Sequence, residues 1–479
     1  MAASRPNILL ITTDQQRFDT IHAAGNKSIW TPHLNYLCDT GIRYTRAYAD
    51  SPVCGPSRAT IMTGLHAHTH GHTSNNDRVS PMATVPTLPG LLAAGGYQTK
   101  AVGKMHFTPL RAKYGFEDAE LLPDYYDWVS KVPGASPPKN HGIGENEMVP
   151  VFSTTKDEHS LTHWTVQRSI DFIETRTDPR PFFLWTSFTK PHPPWDAPRE
   201  YWDIYDGIPM PAPVYGDWSQ DPEQIPAELM GPTYCLNGVD RFSPQQLANA
   251  RRAYYACISN VDYKLGLLFT RLRELNLLKN TWIIFTSDHG EMLGDHHMGA
   301  KSVFLEPSAH VPMLIRPPGE WNDEPRGGST DDRLACLADL LPTILEIAGV
   351  TPPADLSIDG LSMLGEKQRD TLIGQCGPFH AVIEREWKYL FTEAGGSELL
   401  FNLADDPMEQ RNRLNDPAAA PAQKRLKDKL IAALAKRVHA AAAGGTLQST
   451  RPERSRAEMR RIAWPGFHSP KDHECDLLH

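Results

Sequence analysis

Hydrophobic positions along the chain fall into short dense runs separated by polar stretches. Ile8 to Ile11, Phe182 to Phe188, Trp282 to Thr286 and Val311 to Ile315 are dominated by apolar residues, as strands buried on both faces of a parallel sheet are. Between such runs the spacing changes to three and four. The clearest helical segment opens at Ser243-Pro244-Gln245-Gln246, a capping-box pattern with proline at the first helical position. It carries Leu247, Tyr254, Ile258, Val261, Leu265, Leu268, Leu272 and Leu275 on one stripe that should pack on the sheet. A second helix is predicted over Thr87 to Ala94, closing at Gly95-Gly96 in a left-handed cap. Strands alternating with helices predict an α/β fold class with a mostly parallel sheet.

Two stretches, about 109–158 and 193–242, are rich in Pro, Asp, Tyr and Trp with little periodicity, and are expected as loops over the active edge that set specificity. After Pro352-Pro353 the pattern changes. His380 to Ile383 and Trp387 to Phe391, with the turn Asn402 to Pro407, predict a small antiparallel sheet, followed by an Ala/Lys-rich helix from Pro421 to Ala443. At 479 residues the chain exceeds what one core organises. The expected division is a catalytic α/β domain over 1–355, a subdomain with an antiparallel sheet and helix over 356–445, and a tail over 446–479. The apolar island Ile462-Ala463-Trp464-Pro465 with Phe467 in that polar tail suits docking on another surface.

Charge narrows the partners. Lys and Arg number 48 against 57 Asp and Glu, a net charge of -9 without blocks of like charge, which argues against nucleic acid and against an electrostatic membrane anchor. No apolar run approaches the ~20 residues that span a bilayer, so no membrane partner is expected. Met1 to Pro6 runs straight into an apolar segment and leaves no room for a signal peptide, which predicts a cytoplasmic protein. Seven scattered cysteines without a CxxC pair fit reduced thiols better than a disulfide framework.

Polar residues follow directly on the apolar runs: Asp14-Gln15 after the first, His192 after the second and Asp288-His289 after the third. Ligands of open α/β sheets sit at that carboxyl edge. Two aspartates, an amide oxygen and an imidazole make a ligand set for a divalent cation, in which the histidine shifts preference from Ca²⁺ toward Mn²⁺; the plainer role for either aspartate is a helix cap. Cys54-Gly55-Pro56-Ser57-Arg58, continuing to Thr63-Gly64, reads C-x-P-S-R-x-x-x-x-T-G. Arg58, one helical turn after Cys54, should face the same way, and Lys104 and His106 alternate as on an extended segment that points both in one direction. His66, His68, His70 and His72 resemble a metal cluster, but loop polarity accounts for them and they are assigned no metal. Glu291, Asp295, His296 and His297 continue from the second aspartate motif.

The Cys54 motif together with these pairs resembles the type I sulfatases of the alkaline phosphatase superfamily. In that family a maturation enzyme oxidises the cysteine to formylglycine, whose hydrated aldehyde supplies the attacking hydroxyl. The similarity runs from Asn7 to the segment Glu398 to Pro407. It implies an alkaline phosphatase-like fold: a large mixed, mostly parallel sheet sandwiched by helices, with a smaller C-terminal α+β domain containing an antiparallel sheet. It also implies one divalent metal ion on Asp14, Gln15, Asp288, His289 and the group at position 54. Gln15, where many members carry aspartate, and His289, where asparagine is common, resemble the branch of choline sulfatases and phosphonate monoester hydrolases. These departures leave the ion open between Ca²⁺ and Mn²⁺. The tail after Arg451 resembles the extensions through which choline sulfatase relatives assemble, which implies a homo-oligomer. By the same resemblance Arg58 holds the formylglycine diol, Lys104 contacts a sulfate oxygen, His106 handles the diol proton, and His192 and Lys301 bind sulfate and assist the leaving group. Asn75 resembles an amide placed near the anion; Asn76 is an equally legible choice. His310 stands where arginine is frequent.

A sulfate monoester needs a cation to polarise an S–O bond, groups that stabilise the developing charge, and a proton donor for the departing alcohol. The expected activity is hydrolysis of a small-molecule or carbohydrate sulfate ester, with a formylglycine-generating enzyme as maturation partner. The same site suits a phosphonate monoester or phosphodiester, and an unprocessed chain would be a binding module instead. The aromatic segments Tyr125 to Trp128 and Trp195 to Trp218 suit a sugar, an aryl ring or a quaternary ammonium.

Overall fold

A computed structural model of the chain describes residues 5–75, 82, 84–135, 143–236, 238–319, 328–437, 439–450 and 457. The first apolar run becomes β1 (Asn7–Asp14), buried at every position. It is followed by β2 (Ile42–Tyr44), β3 (Ala47–Tyr48), β4 (Gln98–Gly103), β5 (Asp118–Leu121), β6 (Phe182–Pro191) and β7 (Thr281–Ser287). Then come β8 (Met313–Arg316), β9 (Ser329–Asp331) and β10 (Ala335–Cys336). Eight of these form one sheet in the order β5-β4-β6-β1-β7-β8-β2-β9, while β3 and β10 pair separately.

Strands β5, β4, β6, β1 and β7 are parallel. The expected parallel strand at Val311 to Ile315 is corrected: β8 runs antiparallel to β7. Its reason lies in the connection, since residues 288–312 carry only short turns on one edge, and a return without a crossover helix is antiparallel. Register aligns the strand ends, with Thr12 opposite Ser187, Thr13 opposite Ser287 and Gly103 opposite Ser187. The residues that leave β1, β4, β6 and β7 therefore meet at one edge.

Helices cover both faces. The long helix Pro244–Glu274 opens as its capping box predicts: Gln246 N donates to Ser243 Oγ (3.2 Å) and Ser243 N to Gln246 Oε1 (2.8 Å). Val261, Leu265, Leu268 and Leu272 pack with Leu9, Ile11, Leu184, Ile283 and Phe285. The other face of β1 and β6 meets Met62, Leu88, Leu92, Leu341 and Ile344. Each fully buried leucine stabilises by about 2 kcal/mol through its apolar area. Helix Leu88–Ala94 begins one residue later than expected, with Thr87 as its cap, and the left-handed residue of the closing pair is Gly96 (φ 88) and not Gly95 (φ -74). The two long insertions hold little regular structure beyond β5 and helices at Leu122–Lys131, Arg199–Asp203 and Ala227–Leu236.

The C-terminal region forms its own antiparallel sheet from β11 (Leu372–Cys376), β12 (Phe379–Ile383), β13 (Trp387–Thr392) and β14 (Glu398–Asn402). Leu426, Leu430 and Leu434 of helix Ala420–Lys436 pack on Val382, Tyr389 and Leu400. That helix ends at Lys436, short of the expected Ala443, and a separate 3-10 turn begins at Ala440. Buried Lys388 ties the small sheet to the loop 304–310. Its Nζ donates to Phe304 O (2.9 Å) and to Glu306, and forms an ion pair with Glu409 Oε1 (2.8 Å). His310 donates to Glu306 (2.7 Å) and stacks on Phe18 and Tyr48. Asn76 and the island 462–467 lie outside the described residues. Among the described residues no helix is long and apolar enough to cross a membrane.

Candidate active site

Cys54 is the first residue of helix Cys54–Thr63, all of it buried. The helix starts at the carboxyl edge of the sheet, so Cys54 and Arg58 both reach Asp14, as their one-turn spacing predicts. Cys54 Sγ lies 3.1 Å from His289 Nε2 and 3.7 Å from Asp14 Oδ1. Arg58 has no exposed surface and donates through Nε to Asp288 Oδ2 (2.8 Å) and through Nη2 to Asp14 Oδ2 (3.3 Å). Its Nη1 donates to Lys104 O (2.5 Å) and Ser187 Oγ (2.8 Å). The guanidinium thus ties together the ends of β1, β4, β6 and β7.

Asp14, Cys54, Asp288 and His289 each aim a ligand atom into one space, and these atoms lie within 4.8 Å of one another. His289 Nδ1 donates to Gly290 O (2.9 Å), which leaves Nε2 as the atom turned to the cluster, the arrangement of a ligating imidazole. Two carboxylates, one imidazole and complete burial fit a divalent cation. Gln15 joins at the rim. Its backbone is left-handed (φ 69), its N–H donates to Asp288 Oδ1 (3.1 Å), and its carbonyl accepts from Tyr254 OH (2.6 Å). Its side-chain Oε1 accepts from Lys301 Nζ (2.6 Å).

Charges around the cluster compensate one another. Burial alone would raise the Asp14 carboxyl, but Lys104 (Nζ to Oδ2 2.7 Å), Arg58 and His289 outweigh it and hold the group well below the usual carboxylate range. Burial and the adjacent Asp14 push Asp288 up. Burial also opposes charge on His289, yet Asp288 and Cys54 raise the ring to about 9. For Cys54, burial and then Asp14 oppose ionisation; Lys301, Lys104 and His289 prevail and bring the thiol down to about 6. Such an anion-stabilising position at a helix start is where a reactive group at 54 would be used.

Lys104 and Lys301 both reach this space. Lys301 Nζ also lies 3.1 Å from His192 Nε2, while His192 Nδ1 donates to Pro193 O (2.8 Å). Lys104 and His106 do not lie on an extended segment, because Gly103 (φ 99) and His106 (φ 58) are left-handed and the strand ends at Gly103. Alternation therefore does not put them on one face. Asn75 Oδ1 accepts from Gly55 N (2.9 Å) at the start of helix Cys54–Thr63. His66 pairs with Asp50 (3.4 Å) and His70 with Thr60 (3.1 Å), and the histidine run gives no metal-binding group among the described residues. A different cluster, His380, Glu393 and His439, is a hydrogen-bonded clip. Glu393 accepts from His380 (2.5 Å), and His439 turns its Nδ1 lone pair to Ala441 N (3.2 Å), a tautomer opposed to metal at Nε2.

Sequence reasoning passed over Ser187 and Tyr254 as structural. Ser187 Oγ donates to Lys104 O (2.6 Å), and its position as a polar residue late in an apolar run was the available signal. Glu291 accepts from Gln15 Nε2, and burial pushes its carboxyl up to about 6.

A family model described as Sulfatase matches residues 6–350. The chain belongs to the sulfatase family. A second model, described as N-sulphoglucosamine sulphohydrolase, C-terminal, matches residues 294–436. The sulfatase is 32% identical over 445 residues to an arylsulfatase of Clostridium perfringens, covering 86% of this chain and 90% of that one. It is 28% identical to a choline-sulfatase of Rhizobium meliloti, covering 87% and 84%. Its fold is similar to the phosphonate monoester hydrolase of Agrobacterium radiobacter at a TM-score of 0.78 and 26% identity, covering 90% of this chain and 96% of that one. The chain is therefore an alkaline phosphatase-like α/β hydrolase of sulfate esters.

Proposed function

We propose that this sulfatase cleaves a small-molecule or carbohydrate sulfate monoester to an alcohol and inorganic sulfate, with residue 54 as formylglycine and one divalent cation, Ca²⁺ or Mn²⁺, at Asp14, Asp288 and His289. The position of Cys54 Sγ carries this reading: it lies 3.1 Å from His289 Nε2 and 3.7 Å from Asp14 Oδ1, where a hydroxyl of the hydrated aldehyde would stand. A cation bound there would polarise an S–O bond and lower the pKa of that hydroxyl.

The chain's own residues supply the rest. Arg58 holds Asp14 and Asp288 in place through two buried ion pairs. Lys104, beside Asp14, offers an ammonium to an anion oxygen. His192 is neutral, because burial and the charges of Lys301 and Lys104 hold it well below the usual histidine value. With its Nδ1 proton committed to Pro193 O, its Nε2 accepts from Lys301. Lys301 thus holds the proton for the departing alcohol, and His192 orients it. His106 is the proposed acceptor of the diol proton. We read 1–355 as the catalytic domain and 356–445 as a subdomain that braces the loop after Lys301 through Lys388.

The 26% identity and TM-score of 0.78 to a phosphonate monoester hydrolase support a second reading, in which the same site takes a phosphonate monoester. The test is co-expression with a formylglycine-generating enzyme, followed by peptide mass over residue 54 and sulfate release from 4-nitrophenyl sulfate. A lighter aldehyde form with turnover, both lost in Cys54→Ala, is expected; turnover by the thiol form would overturn the nucleophile.

A further inference from the structure

Glu291 leaves the Asp288-His289-Gly290 turn and is fully buried. Its Oε1 accepts the N–H groups of Leu293 (2.9 Å) and Ala300 (2.7 Å), and its Oε2 accepts from Gln15 Nε2. An ionised carboxylate only accepts, so the nitrogen end of the Gln15 amide must face it and the oxygen end must face away. That oxygen meets Lys301 Nζ at 2.6 Å, and Lys301 continues to His192 Nε2 at 3.1 Å.

The Gln15 backbone is already held by Asp288 and by Tyr254. The remaining variable is which way round the amide sits. The two orientations have the same shape and opposite polarity; reversed, an NH₂ would face the Lys301 ammonium, donor against donor. Arg17 fixes the Glu291 backbone in turn, donating through Nη1 to Glu291 O (3.2 Å) and Met292 O (3.1 Å).

We propose that Glu291 is a positioning residue whose carboxylate sets the Gln15 amide with its oxygen toward Lys301 and the cation cluster, and so holds the Lys301 ammonium at His192. The inference rests on the sulfate-ester reading above, and its test separates the two.

Gln15→Glu, Glu291→Gln and the double exchange are compared with wild type after formylglycine is confirmed. Glu291→Gln offers Gln15 an NH₂ and turns its amide; Gln15→Glu sets carboxylate against carboxylate. Each single variant is expected to lower kcat on a sulfate ester about 10- to 100-fold with KM little changed. The exchange restores one donor facing one acceptor and should recover most of the loss, which a merely structural Glu291 would not produce. In the metal-stripped proteins, thermal unfolding should show the same rescue, with the double variant more stable than either single one. If Glu291→Gln fails to fold, rescue of Gln15→Glu by the second change still decides. A double variant no better than the singles in both kcat and unfolding overturns the positioning role. Wild type silent on sulfate esters, with the unfolding rescue intact, overturns the functional reading and leaves the Glu291–Gln15 coupling standing.

Discussion

Lys301 Nζ lies 3.1 Å from Nε2 of His192, and the imidazole meets it as a neutral acceptor. The proton donor proposed for this end of the site is therefore the lysine. Lys301→Ala is expected to slow alkyl sulfate hydrolysis about 100- to 1,000-fold. Its effect on 4-nitrophenyl sulfate should be smaller, because 4-nitrophenolate leaves without a proton. Paired kcat values for the two esters check this, and equal losses would contradict it.

Arg58 is a structural cation before it is anything else. Removing it leaves Asp14 and Asp288 buried without their shared partner, and Arg58→Ala should cost about 3 to 5 kcal/mol of stability. Urea unfolding of the metal-stripped protein measures that loss. Added Mn²⁺ should recover part of it by replacing the missing positive charge, and no recovery would argue against a cation among these carboxylates.

Asn75 accepts from Gly55 N at 2.9 Å, a capping contact for helix Cys54–Thr63. Asn75→Ala is expected to lower stability by about 1 kcal/mol, as loss of a cap does, and to change KM little. A large rise in KM at unchanged stability would restore the substrate-binding role suggested by resemblance. Gly55→Ala would bring a Cβ within 2.7 Å of His72 Nε2 and 3.1 Å of Asn75 Oδ1, so both side chains would have to shift to admit it.

Much of this site could be read from residue order, because strand ends are local. An apolar run that stops at Asp14 or at Asp288 places its carboxylate at the sheet edge whatever the rest of the chain does. Other features were not local. Strand β4 reads as polar, since Lys100 inside it is buried with ion pairs to Asp118 and Glu120, both on the neighbouring strand β5. The relation of Lys104 to His106 was misjudged because two left-handed residues, Gly103 and His106, interrupt the extended path. The Glu291, Gln15 and Lys301 chain joins residues 276 and 286 positions apart. Its direction depends on an amide orientation that only the assembled network decides.

Asp50 gives the fold a defined acid limit. Burial would raise its carboxyl, but His66 and the N–H of Ala67 (2.6 Å) outweigh it and bring the group down to about 2, from 3.8 when free. A depressed folded value stabilises above the unfolded pKa, so this contribution, about 2 kcal/mol, is complete above about pH 4 and is lost as pH falls toward 2. Urea midpoints of wild type and Asp50→Asn should differ at pH 5 and converge below pH 4. A gap that persists unchanged at pH 3 would place the stabilisation elsewhere.

Preference for sulfur over phosphorus is read directly from the ratio of kcat/KM for 4-nitrophenyl sulfate to that for 4-nitrophenyl phenylphosphonate, on metal-loaded protein with formylglycine verified at position 54. A ratio above one is expected, with both activities lost in Cys54→Ala. A ratio below one would make the chain a phosphonate monoester hydrolase that carries a sulfatase motif.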